Sequence, residues 1–217
     1  MIVSFEQMLE KAKHGEPMVL AGAAAQDADT IKAMAAAEKA GMIRPVLVGD
    51  LSVIRRVMQE ENITFCNARL VQAADMAEAC DKAVELVRRG EADFLMKGLV
   101  DTNIFLKAIL NKETGLPVHG LLSHVMTFDT MGAYHKLMIT SDGGMVLYPT
   151  LEQKIDIIKN CLPVAKALEI EEPKVAVLCA KEKVNPKMPA TVDAAELKKL
   201  GEAGEFGANV LVEGPIA

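Results

Sequence analysis

Short apolar runs alternate with amphipathic stretches through the first half of the chain, and this alternation limits the fold more than any other feature. "PMVLAGA" (17–23), "PVLVGD" (45–50), "TFCNARLVQ" (64–72) and "ADFLMKG" (92–98) are predicted strands with few polar positions. Nearly continuous apolar strands are buried on both faces, which points to a parallel sheet covered by crossover helices. Asp27 is expected to cap a first helix, through Ile31, Met34 and Ala35, that stops at Gly41. Glu38 interrupts its apolar face, so that assignment rests partly on alanine content. Asp50 is expected to cap a second helix through Val53, Ile54 and Val57. Met76, Ala79, Ala83, Val84 and Val87 line one face of a third, which ends at "RRG" with basic residues before Gly90. Thr102 is expected to cap a fourth, through Phe105, Ala108 and Ile109. The predicted class is α/β, with a doubly wound parallel sheet.

The second half changes character. "GLLSHVMTF" (120–128), "HKLMITSD" (135–142) and "GMVLY" (144–148) follow one another across short turns and read as adjacent strands that need not be parallel. Thr150 and Gln153 have the spacing of a capping box, ahead of a helix with Leu151, Ile155, Ile158, Leu162 and Ala165 on one face. A strand "KVAVLCA", the long connection "CAKEKVNPKMPAT", a helix from Thr191 to Leu200 and a strand "ANVLVEGPIA" complete the sequence. The expected organisation is two α/β domains, 1–117 and 118–217, each incomplete. A chain that ends on a strand lacks the helix that should cover it, so the C-terminal part of the fold is expected to be missing.

At 217 residues and 51% apolar composition, the chain is long enough for one large core or two small ones. A net charge of −6 argues against a general nucleic-acid binder, since no overall positive field would attract phosphate backbones. Neither a signal peptide nor an apolar run of membrane-spanning length is apparent, so no membrane partner and a cytoplasmic location are expected. Cys66, Cys80, Cys161 and Cys179 are scattered singly and are expected to be buried free thiols. No spacing of cysteine, histidine or carboxylate suggests a metal site.

Three connections have the composition of a ligand site at the carboxyl ends of strands. "MKGLVDT" brings Lys97, Gly98 and Thr102 to the start of a helix. Backbone N–H groups, a hydroxyl and an ammonium would converge there on a phosphate or acyl phosphate; the alternative is an ordinary strand-to-helix turn. "TSDGGM" offers Asp142 and Gly143, with Ser123 and His124 on the neighbouring run; the alternative is a plain hairpin turn. The connection 179–191 gathers Lys181, Lys183 and Lys187 after a strand end, and its Asn-Pro and Met-Pro steps fix the path of the chain. It suits a polyanionic ligand such as a nucleotide-containing thiol, or it is a solvated loop. The residues alone support an α/β enzyme handling an anionic small molecule.

"FLMKGLVDTNIFLKAIL", "LLSHVMTFD" and above all "EKVNPKMPATVDAAEL" resemble the phosphate acetyl/butyryltransferase family, in particular its phosphate butyryltransferase branch, from about residue 3 to the last residue. The resemblance implies reversible acyl transfer between CoA and inorganic phosphate, by direct thiolate attack on an acyl phosphate. It also implies the two-domain fold of isocitrate and isopropylmalate dehydrogenases, a homodimer or higher homo-oligomer, and no resident metal or organic cofactor, with CoA and phosphate as substrates. Carried over residue by residue, Lys97, Gly98, Thr102, Ser123, Asp142 and Gly143 match phosphate-side segments, and Asn185, Lys187, Pro189 and Thr191 match a loop at the CoA cleft. Acetyl-specific relatives have an arginine where Ile104 or Phe105 stands, which favours the butyryl branch, although Lys107 can supply positive charge nearby. The family's proposed base, with its Ser and Arg neighbours, is expected beyond residue 217, so no catalytic residue is assigned. Two other functions remain open: a fragment that only binds CoA or phosphate or oligomerises, and a nicotinamide-dependent dehydrogenase on the same fold. The second would need paired metal-binding aspartates and substrate arginines that this sequence does not display.

Overall fold

The computed structural model describes residues 1–116, 120–132 and 134–217. The chain divides into two compact units, Glu10–Val118 and Met1–Leu9 together with His119–Ala217. The expected boundary at 117/118 lies outside the described residues.

Helix α1 (Phe5–Lys13) precedes strand β1 (Met18–Ala23), and α2 (Ala28–Lys39), β2 (Ile43–Gly49), α3 (Leu51–Glu60), β3 (Arg69–Gln72), α4 (Met76–Arg88), β4 (Phe94–Lys97) and α5 (Thr102–Ile109) follow in strict alternation. The strands form one parallel sheet in the order β3-β2-β1-β4. Successive side chains of a strand point to opposite faces, and both faces here are buried. Ala21, Ala23, Val46 and Val48 enter a core with Ala79, Cys80, Ala83 and Val84 of α4 and Ala108 of α5. Leu20 and Leu47 enter the opposite core with Ile31 and Met34 of α2 and Ile54 of α3. Each fully buried Ile, Leu or Met of that second core contributes roughly 1.5–3 kcal/mol. The helix ends follow the expected chemistry: Asp27 caps α2, Asp50 caps α3, and Gly41 and Gly90 take positive φ beyond α2 and α4.

Two assignments in this unit shift. The third strand starts at Arg69 rather than at residue 64, because the Cys66 and Asn67 N–H groups donate to the Glu38 carboxylate at 2.8 Å each instead of to a neighbouring strand. The cap of α5 is Asp101, not Thr102; the Asp101 carboxylate accepts from Asn103 N at 2.7 Å, leaving Thr102 as the first helical residue.

In the other unit, β5 (Met126–Phe128) pairs antiparallel with β6 (Met138–Thr140). Helix α6 (Leu151–Ala167) opens with the Thr150–Gln153 capping box, both bonds of which are present. Strand β7 (Lys174–Leu178), helix α7 (Pro189–Glu202) and strand β8 (Leu211–Ile216) form a parallel βαβ unit. Ile158, Leu197, Phe206 and Val212 pack as its core beneath one sheet face. A single two-stranded sheet, β5-β6, thus stands where three adjacent strands were expected from the sequence, while β7 and β8 fall where strands were expected. Residues 144–148 form no strand: the Gly144 and Met145 N–H groups point to Asp142, and Leu147 and Tyr148 are 77% and 94% exposed. Helix α7 begins two residues before the expected Thr191, because Pro189 supplies the φ of a first helical turn without wasting an N–H.

Among the described residues, no helix is long and apolar enough to cross a membrane. The four cysteines are free thiols, but only Cys80 is buried; Cys161 and Cys179 are half-buried and Cys66, in the shortened approach to β3, is exposed.

Candidate functional site

The chain order moves outward from β1 to β2 and β3, then returns to place β4 on the other side of β1. Open α/β sheets bind ligands at such a reversal, outside the carboxyl ends of the strands. Ala23 and Lys97, the last residues of β1 and β4, are registered partners there. The next residue is Gly98, whose N–H donates to Ala23 O at 2.8 Å. A Cβ on Gly98 would lie 2.3 Å from Ala24 O and 2.8 Å from Ala24 C, so only glycine allows the two strand ends to approach this closely.

Two of the donors predicted to converge on a ligand, the Lys97 ammonium and the Leu99 N–H, are engaged within the protein. Lys97 Nζ donates to Val100 O at 2.9 Å and to Gly98 O at 3.4 Å. The Leu99 N–H donates to Asp27 Oδ2 at 3.1 Å, while Asp27 Oδ1 accepts from Thr30 N at 2.9 Å. The Asp27 carboxylate therefore ties the turn after β4 to the N-terminus of α2, where the helix dipole favours negative charge. Burial raises the Asp27 pKa, but the bonds from Thr30 and Leu99 outweigh it and hold the group below its ordinary value. Thr102 is exposed at the start of α5, and its hydroxyl makes no hydrogen bond among the described residues. Lys97 is also exposed, and neutral carbonyls are acceptors it can exchange for an anion.

In the second unit the structure brings Ser123, Asp142 and Gly143 together. The Asp142 carboxylate accepts from His124 N at 2.8 Å through Oδ2, and from Gly144 N and Met145 N at 2.7 Å each through Oδ1. Desolvation is the largest single influence on Asp142 and raises its pKa; the backbone donors at 144, 124, 145 and 146 together prevail and lower it. Ser141 Oγ donates to His124 O at 2.6 Å, so both backbone groups of His124 are fixed. A Cβ on Gly143 would lie 2.8 Å from His124 Nδ1. Segments 123–124 and 141–145 are thereby laced into one polar cluster, rather than joined as the hairpin that Asp-Gly-Gly suggested. Asn160 of α6 completes the cluster: its Nδ2 donates to Leu121 O and to Ser123 Oγ, both at 2.8 Å.

The connection 179–191 is held from within. Thr191 is 0% exposed; its Oγ1 accepts from Asn185 N at 2.9 Å and donates to Met188 O at 2.8 Å. Asn185 Oδ1 accepts from Lys187 N at 3.0 Å, and Pro189 occupies the first turn of α7. Asn185, Pro189 and Thr191 therefore shape the loop, while Lys181, Lys183 and Lys187 project as exposed cations that enter no ion pair among the described residues. Thr191→Val keeps the volume but strands the Asn185 N–H, and should lower stability by about 1–3 kcal/mol. Thr191→Ser should restore most of that loss, and thermal unfolding of the two variants checks it.

Lys97, Gly98 and Thr102 thus share one turn of the unit Glu10–Val118. Ser123, Asp142 and Gly143 share one cluster of the other unit, where Asn185, Lys187, Pro189 and Thr191 share one loop. Sequence reasoning missed Asp27 as a tie, having assigned it only a capping role, and missed Asn160 altogether. The available signal for Asn160 was an asparagine inside a 17-residue helix, a position its propensity disfavours. Among the described residues no group of three or more His, Cys, Asp or Glu side chains is placed to hold a metal ion.

The sequence pattern of the phosphate acetyl/butaryl transferase family matches residues 73–217. The chain is 42% identical over 217 residues to a phosphate butyryltransferase of Clostridium acetobutylicum, covering 100% of this chain and 71% of that protein. It is 38% identical over 212 residues to a phosphate acetyltransferase of Thermotoga maritima, covering 98% of this chain and 71% of the relative. Among solved structures, a branched-chain phosphotransacylase from Enterococcus faecalis V583 superposes with a TM-score of 0.73 at 27% identity, over 92% of this chain and 68% of that one.

Proposed function

The chain belongs to the phosphate acetyl/butaryl transferase family, and we propose that it is a phosphate acyltransferase that moves an acyl group reversibly between CoA and inorganic phosphate. The observation that carries this reading is 42% identity to a phosphate butyryltransferase over the whole of the chain. The chemistry is direct displacement. A CoA thiolate attacks the carbonyl carbon of an acyl phosphate, the C–S bond forms, and the C–O bond to phosphate breaks with phosphate as leaving group. An acyl phosphate is already activated, so the step requires neither electron transfer nor a covalent acyl-enzyme, and the reading calls for no resident metal or organic cofactor.

In this scheme Lys97 and Thr102 offer donors to phosphate oxygens from their own turn, Ser123 offers one from its own cluster, and Gly98 and Gly143 permit close backbone approach. Asp142 is a strut rather than the base that takes the thiol proton, because both of its oxygens accept backbone N–H groups and its charged form is favoured. The lysines of the 179–191 loop meet the phosphates of CoA, and Ile104 and Phe105 suit a butyryl rather than an acetyl group. The same reading includes the two-domain architecture of isocitrate and isopropylmalate dehydrogenases, a homodimeric or higher homo-oligomeric assembly, and a cytoplasmic location.

The test is thioester formation from butyryl phosphate and CoA, with calorimetric titration of each substrate. CoA-dependent turnover with saturable binding of both substrates is expected; a chain that binds neither and makes no thioester contradicts the proposal. Replacing Lys181, Lys183 and Lys187 together by glutamine should raise KM for CoA about tenfold at low salt, with little change in KM for the acyl phosphate. The difference should shrink as ionic strength rises, because exposed charges are screened. An unchanged KM for CoA would remove the loop from the CoA site.

A further inference from the structure

Asn160 Nδ2 makes two bonds of 2.8 Å, one to a backbone carbonyl and one to the Ser123 hydroxyl. The carbonyl of Leu121 can only accept, so it fixes which end of the Asn160 amide faces this cluster: the amino group does. Ser123 Oγ must then act as acceptor toward Asn160. A hydroxyl has one proton and two lone pairs, and the one bond of Ser123 that the structure contains uses a lone pair. Its proton has no acceptor among the described residues and is directed away from Asn160.

From this geometry we propose that Asn160 is a positioning residue that sets Ser123 as a dedicated hydrogen-bond donor to an oxygen of phosphate or acyl phosphate. The proposal rests on the acyltransferase reading of the same cluster. The unprotonated oxygens of phosphate and acyl phosphate accept hydrogen bonds only, so a serine able to turn its lone pairs toward them would repel them as readily as bind them. Donation from Asn160 removes that freedom: it occupies the lone pair and polarises the O–H for donation outward. The nearby Asp142 charge does not compete for the Ser123 proton, since its oxygens are directed to backbone N–H groups of 124, 144 and 145. Helix α6, through Asn160, thus contributes to a site whose ligand it does not touch.

A double-mutant cycle on phosphate binding tests this, read by calorimetry with inorganic phosphate and by KM for butyryl phosphate. Ser123→Ala and Asn160→Ala should each weaken phosphate binding about fivefold to tenfold. The double variant should be no weaker than Ser123→Ala alone, and CoA affinity should stay within twofold throughout. Losses that multiply, or CoA affinity falling in parallel, would mean that Asn160 merely supports the loop, and would overturn the proposal. Should Asn160→Ala fail to fold, the near-isosteric Asn160→Asp decides. Its oxygen turns the Ser123 proton inward, so its loss of phosphate affinity should be larger than that of Ser123→Ala and should shrink in the Ser123→Ala background; an undiminished loss overturns the proposal. A wild-type chain that binds no phosphate and makes no thioester overturns the acyltransferase reading itself, which separates the two failures.

Discussion

Gly98→Ala is expected to unfold the unit Glu10–Val118 at a markedly lower denaturant concentration and to abolish acyl transfer. The added Cβ would meet Ala24 O at 2.3 Å, Ala24 C at 2.8 Å and Ala23 O at 2.9 Å. All three atoms are backbone, so no side chain can rotate aside. Either β4 separates from β1 or the turn after β1 is pushed outward, and both movements break the 2.8 Å bond from Gly98 N to Ala23 O. Overpacking of this kind costs about 3 kcal/mol, toward the upper end of its usual range, because the clash is with main chain. The same displacement carries Lys97 and the Leu99–Asp27 tie with it, and an error of 1 Å in a binding constellation costs about 100-fold in rate. Urea unfolding and the thioester assay measure the two effects. Leu99→Ala serves as the control, since its side chain is 69% exposed and should change neither. A Gly98→Ala chain with an unchanged midpoint would show that the strand ends are not closely apposed.

Asp142→Ala should leave the protein folded while reducing turnover by about 100-fold. Three N–H donors at 124, 144 and 145 lose their acceptor, and segments 123–124 and 141–145 are no longer held together. Water can reach this partly exposed site and replaces some of those bonds, so the stability loss should be small, about 1 kcal/mol. Asp142→Asn should fall between the two, since one amide oxygen can still accept while its NH2 faces an N–H donor. The pH dependence has a definite sign. The folded pKa of Asp142 lies below its unfolded value, so its contribution is complete above the unfolded value and is lost as pH falls through the folded one. The wild type should therefore lose this stabilisation on acidification, and the pH profile of unfolding should lack this component in Asp142→Ala. Parallel profiles for the two proteins would assign the acid sensitivity elsewhere.

The first half of the fold was legible because its information is local. Buried parallel strands are apolar runs, and Asp27, Asp50, Gly41 and Gly90 mark helix ends by their own chemistry. The approach to β3 was misread for the opposite reason: Cys66 and Asn67 are kept out of the sheet by Glu38, 28 and 29 residues earlier in the chain. Residues 144–148 have strand composition but no strand beside them, and pairing is not a property of a segment alone. At the candidate site, residue types were legible and directions were not. Lys97 was expected to offer its ammonium to a ligand, and it donates to a carbonyl of its own turn; Thr191 was expected only as part of the loop at the CoA cleft, and it fastens that loop from inside. Asn160 could be found only once α6 lay against residues 121–123, a contact between positions 37 and 39 apart.

The two faces of the four-stranded sheet differ in what mutation can try. On one face alanines of β1 meet the alanines and cysteine of α4, so the helix lies close and there is no room for added methyl groups. On the other, Leu20 and Leu47 meet Ile31, Met34 and Ile54, and each removed methylene leaves a void. One face rejects growth; the other rejects shrinkage at its large side chains and growth at Gly22, where a Cβ would lie 2.8 Å from Met34 Sδ. A lineage drifting toward a new acyl substrate would therefore retain small residues at 21 and 23 and a large one at 20 while its ligand loops diverged.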